Sequence, residues 1–133
     1  MKRSLNSFQD PQAGTSRTTK SLGDAAESSA ARHLQAQGLR LLTSHYRTPG
    51  RGGGEIDLVM RAPDGTLVFV EVRLRRSDRF GGALASVTAT KQARIIWAAR
   101  HYLRRFANPP PCRFDVVGLS EDGVEWIQGA FDA

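Results

Sequence analysis

The chain has 133 residues, a formal charge of +6 and 40% hydrophobic content, which is one domain's worth of core, able to bury roughly two thirds of its unfolded surface without disulfides or structural metal. Cys112 is the only cysteine, so an internal disulfide and a zinc site built on several thiolates are excluded, and a reducing, cytoplasmic setting is expected. No window approaches the ~18 apolar residues of a membrane span, and residues 1–20 lack the apolar core of a secretory signal.

The charge is unevenly placed. Residues 1–20 carry a net +3, residues 21–113 +8 and residues 114–133 −5. A strongly basic middle suits a polyanion partner. The bland alternative is a compositional habit, since arginine outnumbers lysine 16 to 3 throughout.

Residues 1–20 are rich in Ser, Thr, Gln and Gly and cannot repay the entropy of ordering, so they are expected to form a flexible basic tail ahead of a single domain over 21–133. A first helix is predicted from Ser21, where Ser21 and Asp24 suggest a capping box, to Gly38 at its left-handed end. Leu22, Ala26, Ala30 and Leu34 form its buried stripe. Glu27 lies within about 60° of Ala30, Ala31 and Leu34, so it is either an edge residue or a functional one.

Leu39 to Tyr46 reads as a strand, followed by the glycine-rich loop 48–54. That loop lacks the GxxxxGK[ST] arrangement and precedes a strand, so a plain connection is favoured over a phosphate cradle. Two further strands follow, Gly54-Glu55-Ile56-Asp57-Leu58-Val59 and Phe69-Val70-Glu71-Val72-Arg73, joined as a hairpin through Asp64-Gly65. On the second, Leu67, Phe69, Glu71 and Arg73 share one face, while Val68, Val70 and Val72 share the other. Apolar residues on both faces mark a central strand.

Leu74 to Ala85 is expected to be a basic loop carrying Arg75, Arg76 and Arg79. A long helix is expected from about Thr88 to Phe106, with Ile95, Ile96, Ala99, Tyr102, Leu103 and Phe106 at helical spacing and Pro109 to Pro111 ending it. Arg113 to Leu119 and Val124 to Gln128 complete a last hairpin around Glu121-Asp122-Gly123. The expected order is αβββαββ, an α/β fold with a mixed central sheet flanked by helices.

Asp57 and Glu71 are the chemical anomaly, because a carboxylate inside an apolar β-branched strand is costly unless a cation compensates it. Acids converging from adjacent strands, with a base alongside, are what Mg²⁺ or Mn²⁺ requires while phosphate oxygens complete its shell. Such an ion polarises a scissile phosphate and activates water, and a neighbouring cation stabilises the developing charge. The expected reaction is phosphodiester hydrolysis. A structural ion-pair cluster of Asp57, Glu71 and Arg73 is the competing reading. His33, His45 and His101 show no ligand spacing, Trp97 and Trp126 read as core residues in preference to base-stacking platforms, and Asp115 has no assigned role.

These segments, with Leu22-Gly23 through Glu27, Lys91 in the long helix and Arg113-Phe114-Asp115-Val116-Val117, resemble the bacterial YraN family. That family is similar to Holliday-junction resolvases within the restriction-endonuclease-like PD-(D/E)xK nucleases. The resemblance spans about residues 21–128. It implies a restriction-endonuclease-like core and a metal-dependent endonuclease acting on structured or branched DNA, DNA being favoured over RNA. It also implies Glu27 as an assisting helix acid, Asp57 and Glu71 as ligands of Mg²⁺ or Mn²⁺, and the Val72 backbone carbonyl as a further ligand. Homodimerisation, as in many junction resolvases, is a further implication. The signature lysine position holds Arg73, which stays protonated and cannot act as a general base, although it can bind phosphate. Arg75, Arg76, Arg79 and Lys91 are the expected nucleic-acid contacts. Lys91 is read first as a solvated helix lysine and second as a substitute for the missing one. A binding module that no longer cuts and a protein-interaction subunit are the alternatives.

Overall fold

The computed structural model describes residues 19–75 and 82–133, so Arg76, Arg79 and all but the end of the expected tail lie outside the described residues. Five strands lie side by side in chain order: β1 (Arg40–Arg47), β2 (Glu55–Arg61), β3 (Leu67–Leu74), β4 (Cys112–Ser120) and β5 (Gly123–Phe131). The first three are antiparallel neighbours, β3 and β4 run parallel, and β4 and β5 close as an antiparallel hairpin. The sheet is therefore mixed. Its parallel step requires a crossover, supplied by α2 (Gly82–Ala85) and α3 (Ala89–Leu103).

α1 (Thr19–Ala36) covers one face of the sheet and α3 the other. Ala26, Ala30 and Leu34 pack with Leu58, Met60, Val68 and Val70, while Ile95, Ala98, Ala99 and Tyr102 pack with Ile56, Val59, Leu67 and Phe69. β3 thus splits its side chains between two cores, as expected of a central strand. Two buried faces fix its register, since a one-residue slip would exchange them.

Several expectations shift. α1 begins at Thr19, so Ser21 lies inside its first turn instead of capping it, and Leu22 is exposed. Gly38 does take the left-handed conformation, at φ +100°. The segment expected to be loop to Ala85 ends in the helical turn α2. α3 stops at Leu103, before the prolines, its last amides closing tight turns onto His101, Tyr102 and Leu103. Trp126 is part of the core beneath α1, but Trp97 is 59% exposed and is not a core residue. Among the described residues no helix is long and apolar enough to cross a membrane.

The glycine loop is tied at its ends. Thr48 Oγ1 accepts from the Gly54 amide at 2.7 Å, and the Thr48 amide donates to the Gly54 carbonyl at 3.0 Å. A side chain at Gly54 would place its Cβ 2.0 Å from the Arg94 carbonyl. Glycine there lets α3 approach β2 closely.

Asp115 acquires a role. It is wholly buried at the β4–β5 irregularity between Phe114 and Val116. Arg113 Nε donates to both its oxygens at 3.1 and 3.2 Å, the Trp126 indole N–H to one at 3.0 Å and the Gly129 amide to the other at 3.0 Å. Its carboxylate takes the place of ladder bonds that the bulge removes. Asp115→Ala is expected to leave those donors without their acceptor and to cost about 3 kcal/mol of stability, measurable as a lowered urea midpoint. A midpoint within about 0.5 kcal/mol of wild type would deny the carboxylate this role.

Candidate functional site

The β2–β3 ladder runs from Arg61↔Leu67 to Leu58↔Val70 and stops there. One step further, Asp57 and Glu71 would oppose each other, and like charges in a cross-strand pair are destabilising. The backbone pairing ends instead, and a side chain takes it over. Asp57 Oδ2 accepts the Val72 amide at 2.8 Å, so a side chain does what a carbonyl does elsewhere in the ladder. Asp57 is left within hydrogen-bonding reach of Glu71 on one side and of Glu27, from α1, on the other. Three acids from three elements meet where the β2–β3 ladder ends.

Two of them sit badly as anions. The Glu71 side chain is 3% exposed and that of Glu27 14%, and both carboxyls are pushed up from 4.5 to about 8. Burial is the main cause, followed by the negative charge of Asp57, because desolvation and like charge both disfavour the ionised form. Lys91 and Arg73 pull Glu71 back toward ionisation. As carboxylates, Glu71 and Glu27 would each leave Oε1 buried without a hydrogen-bond donor, and a proton is what lets each share a hydrogen bond with Asp57. His45 Nε2 comes to 2.7 Å of Glu27 Oε1, but the approach lacks hydrogen-bond alignment and does not satisfy that oxygen.

Cations flank the acids. Lys91 Nζ lies 3.7 Å and Arg73 Nη1 3.3 Å from Glu71 Oε2. Lys91 reaches there because it occupies the first turn of α3, where the Thr88 hydroxyl accepts its backbone amide at 3.1 Å. Arg73 is held at its other end, Nε donating to Ser86 Oγ at 3.1 Å. Ser86 in turn donates to the Ala83 carbonyl at 2.6 Å.

The structure thus brings together Glu27, Asp57, Glu71, Arg73 and Lys91, with Val72 joining through its amide. Lys91 is against Glu71 and not merely solvated. Arg75 stands just past β3, where its amide bonds the Leu119 carbonyl at 2.8 Å. His45 was not expected here. It sits on β1 between the pairs Ser44↔Leu58 and Tyr46↔Ile56, level with Asp57, and carries the unusual φ of +53°. It also approaches Asp24 Oδ1 at 3.4 Å and Glu55 Oε2 at 3.9 Å. A left-handed conformation is costly for a residue with a side chain, and only strand register could have signalled its place. Asp24, three residues before Glu27 on the same helix face, was legible as a partner.

Among the described residues no group of three or more His, Cys, Asp or Glu side chains already surrounds a metal-sized point. The chemistry of the donor set nevertheless fits a hard cation: oxygen ligands, two of them buried and unsatisfied when ionised, in a cluster that otherwise holds together by protonation. Beside it, Arg47, the glycine loop, Glu55, Lys91 and Arg94 line a groove of about 370 Å³ in which three cations face one acid.

The model of an uncharacterised protein family, UPF0102, matches residues 26–119. A UPF0102 protein of Albidiferax ferrireducens is 67% identical over 116 residues, covering 87% of this chain and 91% of the relative. One from Paracidovorax citrulli is 66% identical over 116 residues, covering 87% of this chain and 86% of the relative. One from Cupriavidus taiwanensis is 55% identical over 133 residues, covering all of this chain and 95% of the relative.

Because Glu27 and Glu71 hold their protons more tightly folded than unfolded, their stabilising contribution is complete below the unfolded value of 4.5 and is lost as pH climbs through about 8. In metal-free buffer the melting temperature is therefore expected to fall as pH rises across that window, and to fall less steeply in Glu71→Gln. Identical slopes for wild type and variant would show that Glu71 is not the buried acid described.

Proposed function

The chain belongs to the uncharacterised protein family UPF0102, and we propose that it is a metal-dependent endonuclease hydrolysing phosphodiesters in structured or branched DNA. The observation that carries this reading is the meeting of Glu27, Asp57 and Glu71 from α1, β2 and β3, with Lys91 of α3 placed on the same cluster. Three acids that repel one another in a buried corner cost stability, which a role in binding a cation would justify.

Asp57 and Glu71 would hold Mg²⁺ or Mn²⁺, with the Val72 carbonyl as a further donor and Glu27 as the assisting acid. When bound, the ion supplies Lewis-acid polarisation of the phosphate and a more acidic water. The chain's own contribution is positional and electrostatic. Lys91 brings an ammonium that can orient water or stabilise charge on the phosphate, which answers the arginine at the signature position. Arg73, clamped between Ser86 and Glu71, serves as a fixed positive charge. At Asp57, where the β2–β3 ladder ends, the acids lie next to Lys91, and in the groove a phosphate backbone would meet Arg47, Lys91 and Arg94. A restriction-endonuclease-like core is the fold-level reading of the mixed five-stranded sheet with helices on both faces, and fold alone does not establish chemistry.

Arg73 favours one second reading, a nucleic-acid-binding module on a nuclease scaffold. The two separate on a panel of single-stranded, duplex, forked and four-way DNA, with matching RNAs, incubated with Mg²⁺ or Mn²⁺. Wild type is expected to cut at least one branched substrate, Asp57→Ala to cut none, and Lys91→Ala to lose about a hundredfold in rate. Arg73→Lys is expected to cost less than Lys91→Ala. Cleavage that survives Asp57→Ala would end the nuclease reading, and salt-sensitive binding without cleavage would establish the binding module instead.

A further inference from the structure

Trp97 is one of the large apolar side chains exposed among the described residues, and it stands on a helix whose formal charges are all positive. A single exposed apolar residue is ordinary, but α3 contains Lys91, Arg94 and Arg100 and no acid. On a wheel of 100° per residue, Arg94, Trp97, Arg100 and Arg104 fall within about 120° of one another, on the side opposite buried Ile95, Ala99 and Tyr102. The ring is thus presented to solvent by the same periodicity that builds the core. Trp97, Arg100, His101 and Arg104 line a depression of about 270 Å³, whose position is fixed by the hydrogen bond between His101 Nδ1 and the Tyr46 hydroxyl.

Arg94 links this face to the acid cluster. Lys91 lies on Glu71, Lys91 and Arg94 line the glycine-loop groove, and Trp97 follows Arg94 by one turn. From Lys91 to Arg104 the helix rises about 20 Å. A row of cations fits any polyanion, whereas a broad indole among them fits one whose bases are free to leave the stack. Paired bases in a duplex present edges to a protein, not faces.

We infer that the outer face of α3 receives an unpaired segment of the nucleic acid, one base stacking on Trp97 while Arg100 and Arg104 hold the flanking phosphates. The inference rests on reading the acid cluster as a nucleic-acid-processing site and names the substrate class for it: branched or frayed molecules with a single-stranded arm. It gives a reason for favouring such molecules that the acid cluster alone does not contain.

The test is binding by the full chain in EDTA, where cleavage does not contribute, to a single strand, a blunt duplex, a forked duplex and a fork with abasic sites in its arm. Trp97→Ala is expected to weaken single-strand and fork binding about tenfold and duplex binding less than about twofold, with Trp97→Phe restoring most of the loss. The abasic arm should cost wild type a similar factor and cost Trp97→Ala nothing further. Tryptophan fluorescence should be quenched by the single strand in wild type and not in Trp97→Phe, where Trp126 remains as an internal control. Equal losses on all four ligands, or no loss, would overturn the inference while leaving cleavage by wild type intact as support for the nuclease. Wild type that binds none of the ligands in EDTA would also overturn the inference, while the nuclease reading is decided separately by cleavage with Mg²⁺ or Mn²⁺. Sedimentation covers the remaining occupant: a dimer that Trp97→Ala converts to monomers would assign this face to a second copy of the chain and overturn the inference.

Discussion

Three carboxyl groups share one low-dielectric corner of this protein, and the shape of the corner follows from their mutual repulsion. Glu27, Asp57 and Glu71 cannot all ionise there without compensation, so the available remedies are protons, neighbouring cations or a bound ion. The chain uses the first two: protons held up to about pH 8 on Glu27 and Glu71, and Arg73 with Lys91 on Glu71 Oε2. Substituting a metal for the protons would relieve the same repulsion. The local backbone follows suit, with the β2–β3 ladder ending one residue before the acids would face each other.

Much of this was readable from residues because it obeys strict periodicities. Alternation along 67–73 separates Glu71 and Arg73 from Val68 and Val70, and the two cores of β3 respect that division. The hairpin turn was equally plain, with Gly65 at φ +94° and the Asp64 carboxylate accepting the Thr66 amide at 3.0 Å. What stayed hidden depends on placement of one element against another. The rotation of α3 about its axis decides that Lys91 meets Glu71 while Trp97 faces out, and nothing within the helix distinguishes a solvated lysine from one that leans over a strand. His45 was hidden for the same reason, since its strained conformation arises only where β1 passes Asp57 and Glu27.

Loops illustrate a related limit. Four glycines in 50–54 suggest freedom, yet Gly54 is required for the opposite reason, because any side chain would strike the Arg94 carbonyl. Close packing at that one residue sets α3 close to β2 and so sets the reach of Lys91. A structural glycine thereby controls the electrostatics of a side chain far away in sequence. Position in a flexible-looking segment is no guide to its rigidity, whereas atoms that a Cβ would strike are.

The clearest physical distinction among the described residues is between two buried acids, Asp115 and Glu71. Asp115 has no exposed surface and every oxygen engaged, by Arg113, Trp126 and Gly129. Glu71 is almost as deeply buried, yet as a carboxylate it leaves one oxygen without a donor and two cations crowd the other. Burial therefore does not separate structure from function here, because both acids are costly to bury and only one is fully compensated within the fold. A satisfied buried carboxylate is explained by the bonds it makes. On the proposed reading, an unsatisfied one kept among other acids where the β2–β3 ladder ends is the place for a hard cation, whose charge and donor preference would match what the corner lacks.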